Sequence, residues 1–225
     1  MSFVIYHDEP ETVSENTSTA CRYSRYFKRV FDVILVIALL PVALPIVAIS
    51  VVLTRLDGRA GLFTQSRVGR GGAIFRCWKI RTMVPDAERV LDALLRSDPG
   101  IAREWQMTQK LRNDPRITRV GGFLRRTSID ELPQLWNILK GDMSFVGPRP
   151  FTPIQKAMYD AVVRNPAYYE MRPGISGLWQ TESRDKGQFR DRVHFDQAYA
   201  ANLSFGADMR IALKTLQVLS RADGN

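Results

Sequence analysis

The sequence predicts an α-rich α/β protein in which an N-terminal membrane helix precedes a mixed body of helices and strands. Three observations indicate this class: residues 30–53 are almost continuously apolar, residues 61–81 hold two β-prone stretches separated by glycines, and residues 85–110 and 208–219 carry apolar residues at helical spacing. The segment before the apolar run is polar and has no such periodicity. We therefore divide the chain into a flexible polar tail at residues 1–25, a membrane helix at 26–56 and an α/β domain at 57–225.

The composition is that of a folded and strongly basic chain. Hydrophobic residues make up 45% of it, and the formal net charge is +9 although residues 1–20 contain four acidic and no basic side chains. A basic body suits an anionic partner such as nucleic acid, acidic lipid headgroups or a phosphorylated substrate, and charge alone does not choose among them. The sequence has no RNA-recognition signature, zinc-finger spacing or basic zipper, so we expect no nucleic-acid partner.

The apolar run is long enough to cross a membrane, since about 20 residues suffice. Pro41 and Pro45 lie near its middle, and each removes a backbone donor and clashes with the preceding turn, so we expect a sharp bend. Each half would rise only roughly 16 to 20 Å at ~1.5 Å per residue, which is less than the ~30 Å hydrocarbon core. The prolines therefore favour a re-entrant helix that enters and leaves the same leaflet.

The charges around the apolar run favour the same topology. Basic residues flank both of its ends, namely Arg22, Arg25, Lys28 and Arg29 before it and Arg55, Arg59, Arg67 and Arg70 after it. The positive-inside tendency keeps both clusters on the cytoplasmic side, which a re-entrant helix achieves. A single kinked transmembrane helix is the alternative. Because an ionised carboxylate at the start of the run is costly without a partner, we expect Asp32 to pair with Arg29 on the same helical face.

The body begins with the pattern of a hairpin followed by helices. Residues 61–81 form two β-prone stretches around a glycine-rich centre at 69–72, which indicates an antiparallel pair. Helices are expected from Pro85 to about Asp98, from Ile101 to Lys110 and from Asp208 to Leu219. Their amphipathic faces either pack on the core or lie on the membrane surface.

Residues 127–141 contain the best candidates for catalysis. They combine a helix start signal, an apolar stripe and a Lys140-Gly141 stop signal, which predicts a helix of about three turns. Since Pro133 is tolerated only near a helix start, the helix should begin close to Asp130 and place Asp130 and Glu131 at its positive end. Free N–H groups there would keep Asp130 ionised and help to hold a phosphate. On this pattern alone, helix capping is the commoner explanation for two such acids.

Arginines on both sides of the acidic pair point to an anionic substrate. Arg125 and Arg126 precede the pair, and Arg149 follows it in a Gly-Pro-Arg-Pro run at 147–150. Guanidinium groups bind phosphate oxygens in a bidentate manner, so this context favours phosphate chemistry over simple capping.

Motifs along most of the chain resemble those of a known family, the bacterial sugar transferases or monotopic polyprenyl-phosphate phosphoglycosyl transferases. The residues that carry the resemblance are KRVFD at 28–32, FRCWKIRTM at 75–83, DPRIT at 114–118, RRTSIDELPQ at 125–134, LKGDMS at 139–144, GPRP at 147–150, RPGISGL at 172–178 and NLSF at 202–205 with Asp208. The resemblance implies a re-entrant membrane helix broken at Pro45 and a cytoplasmic α/β catalytic body at the bacterial inner membrane. It also implies lipid partners in that membrane.

The resemblance further implies a Mg²⁺-dependent reaction at the acidic pair. Asp130 would attack the β-phosphorus of a UDP-sugar, release UMP and carry the sugar phosphate until undecaprenyl phosphate takes it. Glu131 would bind the Mg²⁺. Arg125 and Arg149 match positions associated with phosphate handling. Lys79 and Asp196 match further polar positions of the family, and we expect them to take part in binding the substrate or its phosphates.

Within the family, the chain is most similar to the ExoY-type undecaprenyl-phosphate galactose phosphotransferases of exopolysaccharide synthesis. Leu44 precedes Pro45 where many members have Ser, and residues 181–184 read TESR where others have VNGR. Two alternatives stay open: the same reaction by direct displacement with Asp130 as general base, and a non-catalytic membrane scaffold of polysaccharide export. The sequence is compatible with a homo-oligomer and does not identify the sugar.

Overall fold

A computed structural model of the protein describes residues 23, 27–56, 58–183 and 188–220. Helices form most of its regular structure: α1 Lys28–Arg55, α2 Ala87–Ser97, α3 Pro99–Thr108, α4 Arg119–Arg126, α5 Gln134–Lys140, α6 Lys156–Asp160, α7 Leu178–Glu182, α8 Arg192–Ala201 and α9 Phe205–Ser220. Short 3-10 turns lie at Arg70–Gly72, Ile129–Glu131, Pro153–Gln155, Ala167–Glu170 and Phe189–Asp191. The strands are β1 Leu62–Val68, β2 Ile74–Ile80, β3 Ser144–Val146 and β4 Gly174–Ser176.

Two small sheets complete this helix-rich architecture, which agrees with the predicted class. The antiparallel pair β1–β2 aligns Leu62 with Ile80 and Val68 with Ile74, so the predicted hairpin is confirmed. Its turn uses Gly71 at φ 65° and Gly72 at φ 80°, a backbone region that glycine enters without steric cost. The second sheet pairs β3 with β4 in parallel, with Ser144 opposite Gly174.

The helices predicted from apolar spacing are confirmed within a few residues. α2 and α3 follow one another at Asp98, whose side chain accepts hydrogen bonds from Gly100 N at 2.7 Å and Ile101 N at 3.2 Å and so caps α3. α9 covers the predicted C-terminal helix. The predicted tail at residues 1–25 lies outside the described residues, apart from Tyr23.

Helix α1 is helical throughout, from Lys28 to Arg55, although it contains Pro41 and Pro45. The chain therefore does not divide into two separate helices at Pro45, and a bend there stays a prediction. α1 is long and apolar enough to cross a membrane by length and composition. Its buried residues recur along the whole helix, at Lys28, Asp32, Val36, Ala43, Ser50 and Thr54. Large apolar side chains on its other faces are exposed, among them Val30, Ile34, Val42, Ile49 and Val52.

The body contacts α1 at its start, at its middle and at its end. Lys28 forms an ion pair with Asp208 of α9. Near the centre, Ala43 belongs to the same core cluster as Ile138 of α5. At the end, Arg81 donates a hydrogen bond to the carbonyl of Thr54 at 2.6 Å. This one helix therefore lies along the body over its length and leaves an apolar surface uncovered.

The predicted ion pair between Asp32 and Arg29 is wrong. The carboxylate of Asp32 accepts hydrogen bonds from Ser144 Oγ and Phe145 N, both at 3.0 Å, at the start of β3. Arg29 instead donates to the carbonyls of Ile138 and Leu139 at the end of α5, where helix carbonyls lack intrahelical partners. Asp32 is 1% exposed, and its hydrogen bonds tie α1 to β3.

Candidate active site

Asp130 and Glu131 lie in a 3-10 turn and not at the start of a three-turn helix as predicted. The turn Ile129–Glu131 follows Ser128, whose φ of 55° reverses the chain direction, and α5 begins only at Gln134 after Pro133. α5 is seven residues long, so the predicted helix was too long and started too early. In a 3-10 turn, with ~3 residues per turn, neighbouring side chains point about 120° apart. The two carboxylates consequently point in different directions from the backbone.

Two cations converge on Glu131. Lys79 Nζ lies 2.8 Å and Arg149 NH2 lies 2.9 Å from the same atom, Glu131 Oε1. Lys79 Nζ also lies 3.8 Å from Asp130 Oδ2, so it bridges the two acids. The structure thus brings four of the predicted site residues together: Asp130, Glu131, Lys79 and Arg149.

The position of Lys79 follows from strand β2 and from one buried amide. Residues at alternate positions of a strand share a face, which places Lys79 on the face of Cys77. Asn137 of α5 fixes this strand against the helix, because its Oδ1 accepts from Trp78 N at 3.0 Å and its Nδ2 donates to Arg76 O at 2.7 Å. The side-chain amide of Asn137 thus makes the backbone hydrogen bonds that a neighbouring strand would make. In this way it helps to fix β2 relative to the turn that holds the carboxylates.

The position of Arg149 follows from the short parallel sheet and the hairpin. β3 ends at Val146, and a Cβ at Gly147 would lie 2.4 Å from Arg172 O, so only glycine fits at this crossing. After Arg149 the chain is held by the hairpin, where Arg67 NH1 donates to Pro150 O at 3.0 Å and Val68 N donates to Phe151 O at 2.9 Å. Arg149 therefore lies between two backbone segments that are held in place, the crossing at Gly147 and the contact with the hairpin.

Arg125 lies at the end of α4, within electrostatic range of Asp130 and Glu131. Its Nε donates to Thr82 Oγ1 at 2.8 Å. α4 approaches this segment closely because residue 121 is glycine, where a Cβ would lie 2.0 Å from Thr82 O. The negative charges of Asp130 and Asp114 partly offset the loss of hydration that lowers the pKa of Arg125.

The two carboxylates differ in electrostatic environment. Burial alone would raise the pKa of Glu131, but the charges and hydrogen bonds of Arg149 and Lys79 outweigh it and hold that pKa below its usual range. Burial raises the pKa of Asp130, Lys79 opposes this, and the negative charge of Glu131 adds to it. Glu131 is therefore ionised, whereas Asp130 is the more basic carboxylate of the pair.

These residues fit a magnesium ion that is shared with a substrate. Among the residues that the structure describes, no group of three or more His, Cys, Asp or Glu side chains could hold a metal by itself. Mg²⁺ is commonly bound through one or two carboxylates together with substrate phosphates, and two adjacent ionisable carboxylates offer that donor set. Glu131 is the better ligand of the two because it stays ionised, while Lys79 and Arg149 compete for its Oε1.

Asp196 is not part of this group. It lies on α8, 5% exposed, and accepts a hydrogen bond from Tyr159 OH beside an aromatic cluster. Burial raises the pKa of Asp196 to about 7, against the hydrogen bond from Tyr159 and the charge of Arg192. Among the described hydrogen bonds and ion pairs, none joins Asp196 to Asp130 or Glu131. The structure therefore does not bring Asp196 to the acidic pair, and its role in substrate binding stays a prediction.

Sequence reasoning missed three residues beside the acids. Arg67, Cys77 and Gln134 line one cavity together with Lys79, Glu131, Arg149 and Pro150. For Arg67 the predicted hairpin offered a signal. In the observed register Arg67 lies opposite Phe75, and Phe75 shares a face of β2 with Cys77 and Lys79, so Arg67 lies on the same face of the hairpin as Lys79. Gln134 and Cys77 carried no signal beyond their position inside matched motifs.

Comparison with known proteins identifies relatives along the whole described body. A family model described as bacterial sugar transferase matches residues 23–222. The UDP-galactose-lipid carrier transferase of Erwinia amylovora is 40% identical over 224 residues, covering 100% of this chain and 46% of the relative. The undecaprenyl-phosphate galactose phosphotransferase of Salmonella typhimurium is 43% identical over 225 residues, again covering 100% of this chain and 46% of the relative.

A shorter relative matches over most of both chains. The exopolysaccharide production protein ExoY of Sinorhizobium fredii is 40% identical over 199 residues, which cover 88% of this chain and 87% of the relative. The chain thus spans about half the length of the two longer relatives and most of the length of this one.

The buried carboxyl of Asp196 predicts a pH-dependent loss of stability. Its pKa is about 7 in the folded protein and about 3.8 in an unfolded chain, so the folded state holds the extra proton between these values. Stability conferred by this group is present below pH 3.8 and is lost as the pH rises through 7. Asp196→Asn keeps an acceptor for Tyr159 without the charge. We expect the variant to match the wild type near pH 4 and to exceed it at pH 8, by on the order of 2 to 4 kcal/mol.

Thermal unfolding in detergent across this pH range measures the difference. Asp92→Asn, on the exposed face of α2, is the matched control. It should leave the unfolding temperature unchanged at every pH. An equal shift of Asp196→Asn at all pH values would contradict the assignment of this carboxyl.

Proposed function

The chain belongs to the bacterial sugar transferase family, and on this basis we propose that it transfers a sugar 1-phosphate from a UDP-sugar to undecaprenyl phosphate and releases UMP. The observation that supports this most is the placement of two buried carboxylates among Lys79, Arg149 and Arg125, next to a helix with an uncovered apolar surface. A nucleotide diphosphate can meet cations there, and a polyprenyl chain can remain in the lipid beside α1.

The sugar that we propose is galactose, and the pathway is exopolysaccharide synthesis. Two relatives carry galactose in their names and a third is named for exopolysaccharide production. A glucose-1-phosphate transferase of Caulobacter vibrioides is also a relative, at 38% identity over 206 residues, so the family accepts more than one sugar. A panel of UDP-sugars therefore tests which sugar the donor carries.

In the proposed mechanism Asp130 is the nucleophile. Its carboxylate oxygen attacks the β-phosphorus of the donor, the bond from that phosphorus to the bridging oxygen breaks, and UMP leaves with the electron pair. The sugar phosphate is then held on Asp130 as an acyl phosphate. An oxygen of undecaprenyl phosphate attacks the same phosphorus, and the carboxylate of Asp130 leaves. The raised pKa of Asp130 supports this role because a more basic carboxylate is a better nucleophile.

The surrounding residues bind and orient the phosphates. Arg149 and Lys79 contact Glu131, Lys79 also lies near Asp130, and the charge of Arg125 acts on both acids, so a diphosphate placed over the turn would meet several positive charges. When bound at Glu131, Mg²⁺ would neutralise charge on the diphosphate oxygens. Before the donor binds, Lys79 also partly neutralises the negative charge of Asp130, because its Nζ lies 3.8 Å from Asp130 Oδ2.

Two alternatives differ in what Asp130 does. As a general base it would take a proton from the acceptor phosphate for direct attack on the donor, and its raised pKa suits that role as well. In a non-catalytic scaffold it would be structural only. Burial of a carboxylate whose pKa is raised destabilises the fold at neutral pH, which favours a functional role over a structural one.

We also propose that α1 is re-entrant and that the body lies on the cytoplasmic side. The body contacts Lys28 at one end of α1, Ala43 in its middle and Thr54 at the other end. A spanning helix would carry its middle ~15 Å away from a body on one side of the membrane. The exposed apolar residues Val120 and Phe123 on α4 lie beside α1 and extend the lipid-facing surface.

Replacing the proposed nucleophile tests the reaction. Asp130→Asn keeps the size and the hydrogen-bonding capacity of the side chain but removes the nucleophilic charge. We expect release of UMP from a UDP-sugar and undecaprenyl phosphate to fall by on the order of a thousandfold or more. Enzyme-coupled detection of UMP, with purified protein in nanodiscs and a panel of UDP-sugars, measures it.

The exposed residue Asp92 supplies the control for this test, since Asp92→Asn should retain the wild-type rate. Retained UMP release in Asp130→Asn would remove Asp130 from the chemistry. A wild-type protein that releases UMP from none of the donors would instead support the scaffold.

Cysteine accessibility tests the topology. In a variant without Cys21 and Cys77, single cysteines at Ser24 and Ala60 flank α1 on its two sides. For a re-entrant helix, a membrane-impermeant maleimide should label neither cysteine in intact spheroplasts and both in inside-out vesicles. Labelling of Ser24→Cys in spheroplasts, with Ala60→Cys protected, would establish a spanning helix and overturn the proposal.

A further inference from the structure

Arg192 at the start of α8 is a buried cation whose placement the proposed mechanism does not use. The residue is 7% exposed. Its guanidinium lies 4.2 Å from the ring centre of Trp179 and 4.7 Å from that of Phe189, so two aromatic faces hold it in place. Such stacking fixes the plane of the guanidinium and leaves its N–H groups directed outward along that plane.

The hydrogen-bonding capacity of Arg192 is not used within the described part of the chain. Its Nε is buried without an acceptor there. Asp196 lies one turn later on α8, but its carboxylate accepts from Tyr159 and forms no ion pair of 4.0 Å or less with Arg192. A buried donor without an acceptor costs free energy, and in a native protein it calls for a specific explanation, such as a bound ion or a functional role.

Further buried donors without acceptors lie close to Arg192. Among the residues described, only five buried side-chain polar atoms lack a hydrogen-bond partner, and they include Nε1 of Trp179, the ring that stacks on Arg192, and Nε of Arg67. All of these groups donate hydrogen bonds or carry positive charge, so the ligand that would satisfy them is an anion.

Arg192 lies within electrostatic range of the arginines at the Glu131 cavity. Burial, followed by the charge of Arg149 and then that of Arg67, lowers the pKa of Arg192 to about 9, with Asp196 acting in the opposite sense. Arg67 is lowered in turn by burial and by Arg149, and it lines the cavity at Glu131. The positive charges of Arg192, Arg149 and Arg67 thus repel one another, and an anion bound among them would relieve that repulsion.

We propose that Arg192 and Trp179, together with Arg67, form a second phosphate-binding subsite that extends the cationic cavity beyond Arg149. The subsite takes a phosphate oxyanion through the guanidinium of Arg192 and the indole N–H of Trp179. This inference rests on the proposed function for the identity of that phosphate, which belongs either to the nucleotide donor or to the lipid acceptor. It gives a role to α7 and α8, which carry none of the residues around Asp130.

The test uses Arg192→Met, which fills the space between the two rings without charge. In the full chain in nanodiscs, we expect the affinity for UDP, measured by calorimetry without turnover, to fall about ten- to a hundredfold, as for loss of hydrogen bonds to a charged group. The unfolding temperature of the ligand-free variant should equal or exceed that of the wild type, because an unpaired buried charge has been removed.

Arg190→Met is the matched control, since Arg190 is exposed and lies two residues earlier. It should change neither affinity nor stability. If Arg192→Met fails to fold, Arg192→Lys gives the same readout, because it keeps the charge and loses the planar fork. A lower unfolding temperature with unchanged affinities would show that Arg192 only packs, and would overturn the proposal.

A second arm distinguishes the source of the phosphate. Binding of undecaprenyl phosphate is measured on the same variants in lipid nanodiscs. Loss of UDP affinity alone assigns the subsite to the donor, loss of lipid-phosphate affinity alone assigns it to the acceptor, and loss of neither overturns the inference. Loss of UDP affinity in a chain that releases no UMP from any donor would uphold the subsite and reject the proposed function.

Discussion

The structure depends on keeping two adjacent carboxylates inside a protein that faces a membrane. Asp130 is 6% exposed, and the side chain of Glu131 is similarly enclosed. Like charges this close cannot both remain ionised unless cations compensate them, and Lys79 and Arg149 meet at one oxygen of Glu131 to do so. Lys79 comes from the hairpin and Arg149 from the segment after β3, so the hairpin, the parallel sheet and the turn are all required to assemble this charge arrangement.

The membrane helix is connected to the same arrangement. Asp32 of α1 accepts hydrogen bonds from Ser144 and Phe145, which begin the strand that leads to Arg149. The other end of α1 is held by Arg81, which follows the strand that carries Lys79. Helix α1 is therefore tied to both segments that supply the cations of the site. In the proposed reaction, this arrangement would hold a nucleotide and a lipid phosphate in line at one turn.

Much of the fold could be predicted because its signals are local. The hairpin, α2, α3 and α9 follow from glycine placement and apolar spacing, and the family motifs named Asp130, Glu131, Lys79 and Arg149. The rest depends on contacts between residues far apart in the chain. Asp32 lies 112 positions from Ser144, and a helical-face rule therefore chose Arg29 instead. The 3-10 turn depends on Ser128 at positive φ, a conformation that sequence pattern does not indicate for serine. Arg192 was missed because its aromatic partners come from two separate elements.

The central claim is that the more basic carboxylate of the pair, Asp130, forms a bond to phosphorus. The most direct measurement is to mix the protein with Mg²⁺ and UDP-galactose labelled in the sugar, without undecaprenyl phosphate, and to analyse the peptide that contains Asp130 by mass spectrometry after rapid quenching. The account predicts a labelled sugar phosphate on Asp130 and about one equivalent of UMP released per protein, with hydroxylamine converting Asp130 to a hydroxamate. UMP release that requires the lipid acceptor, with no label on the protein, would contradict it.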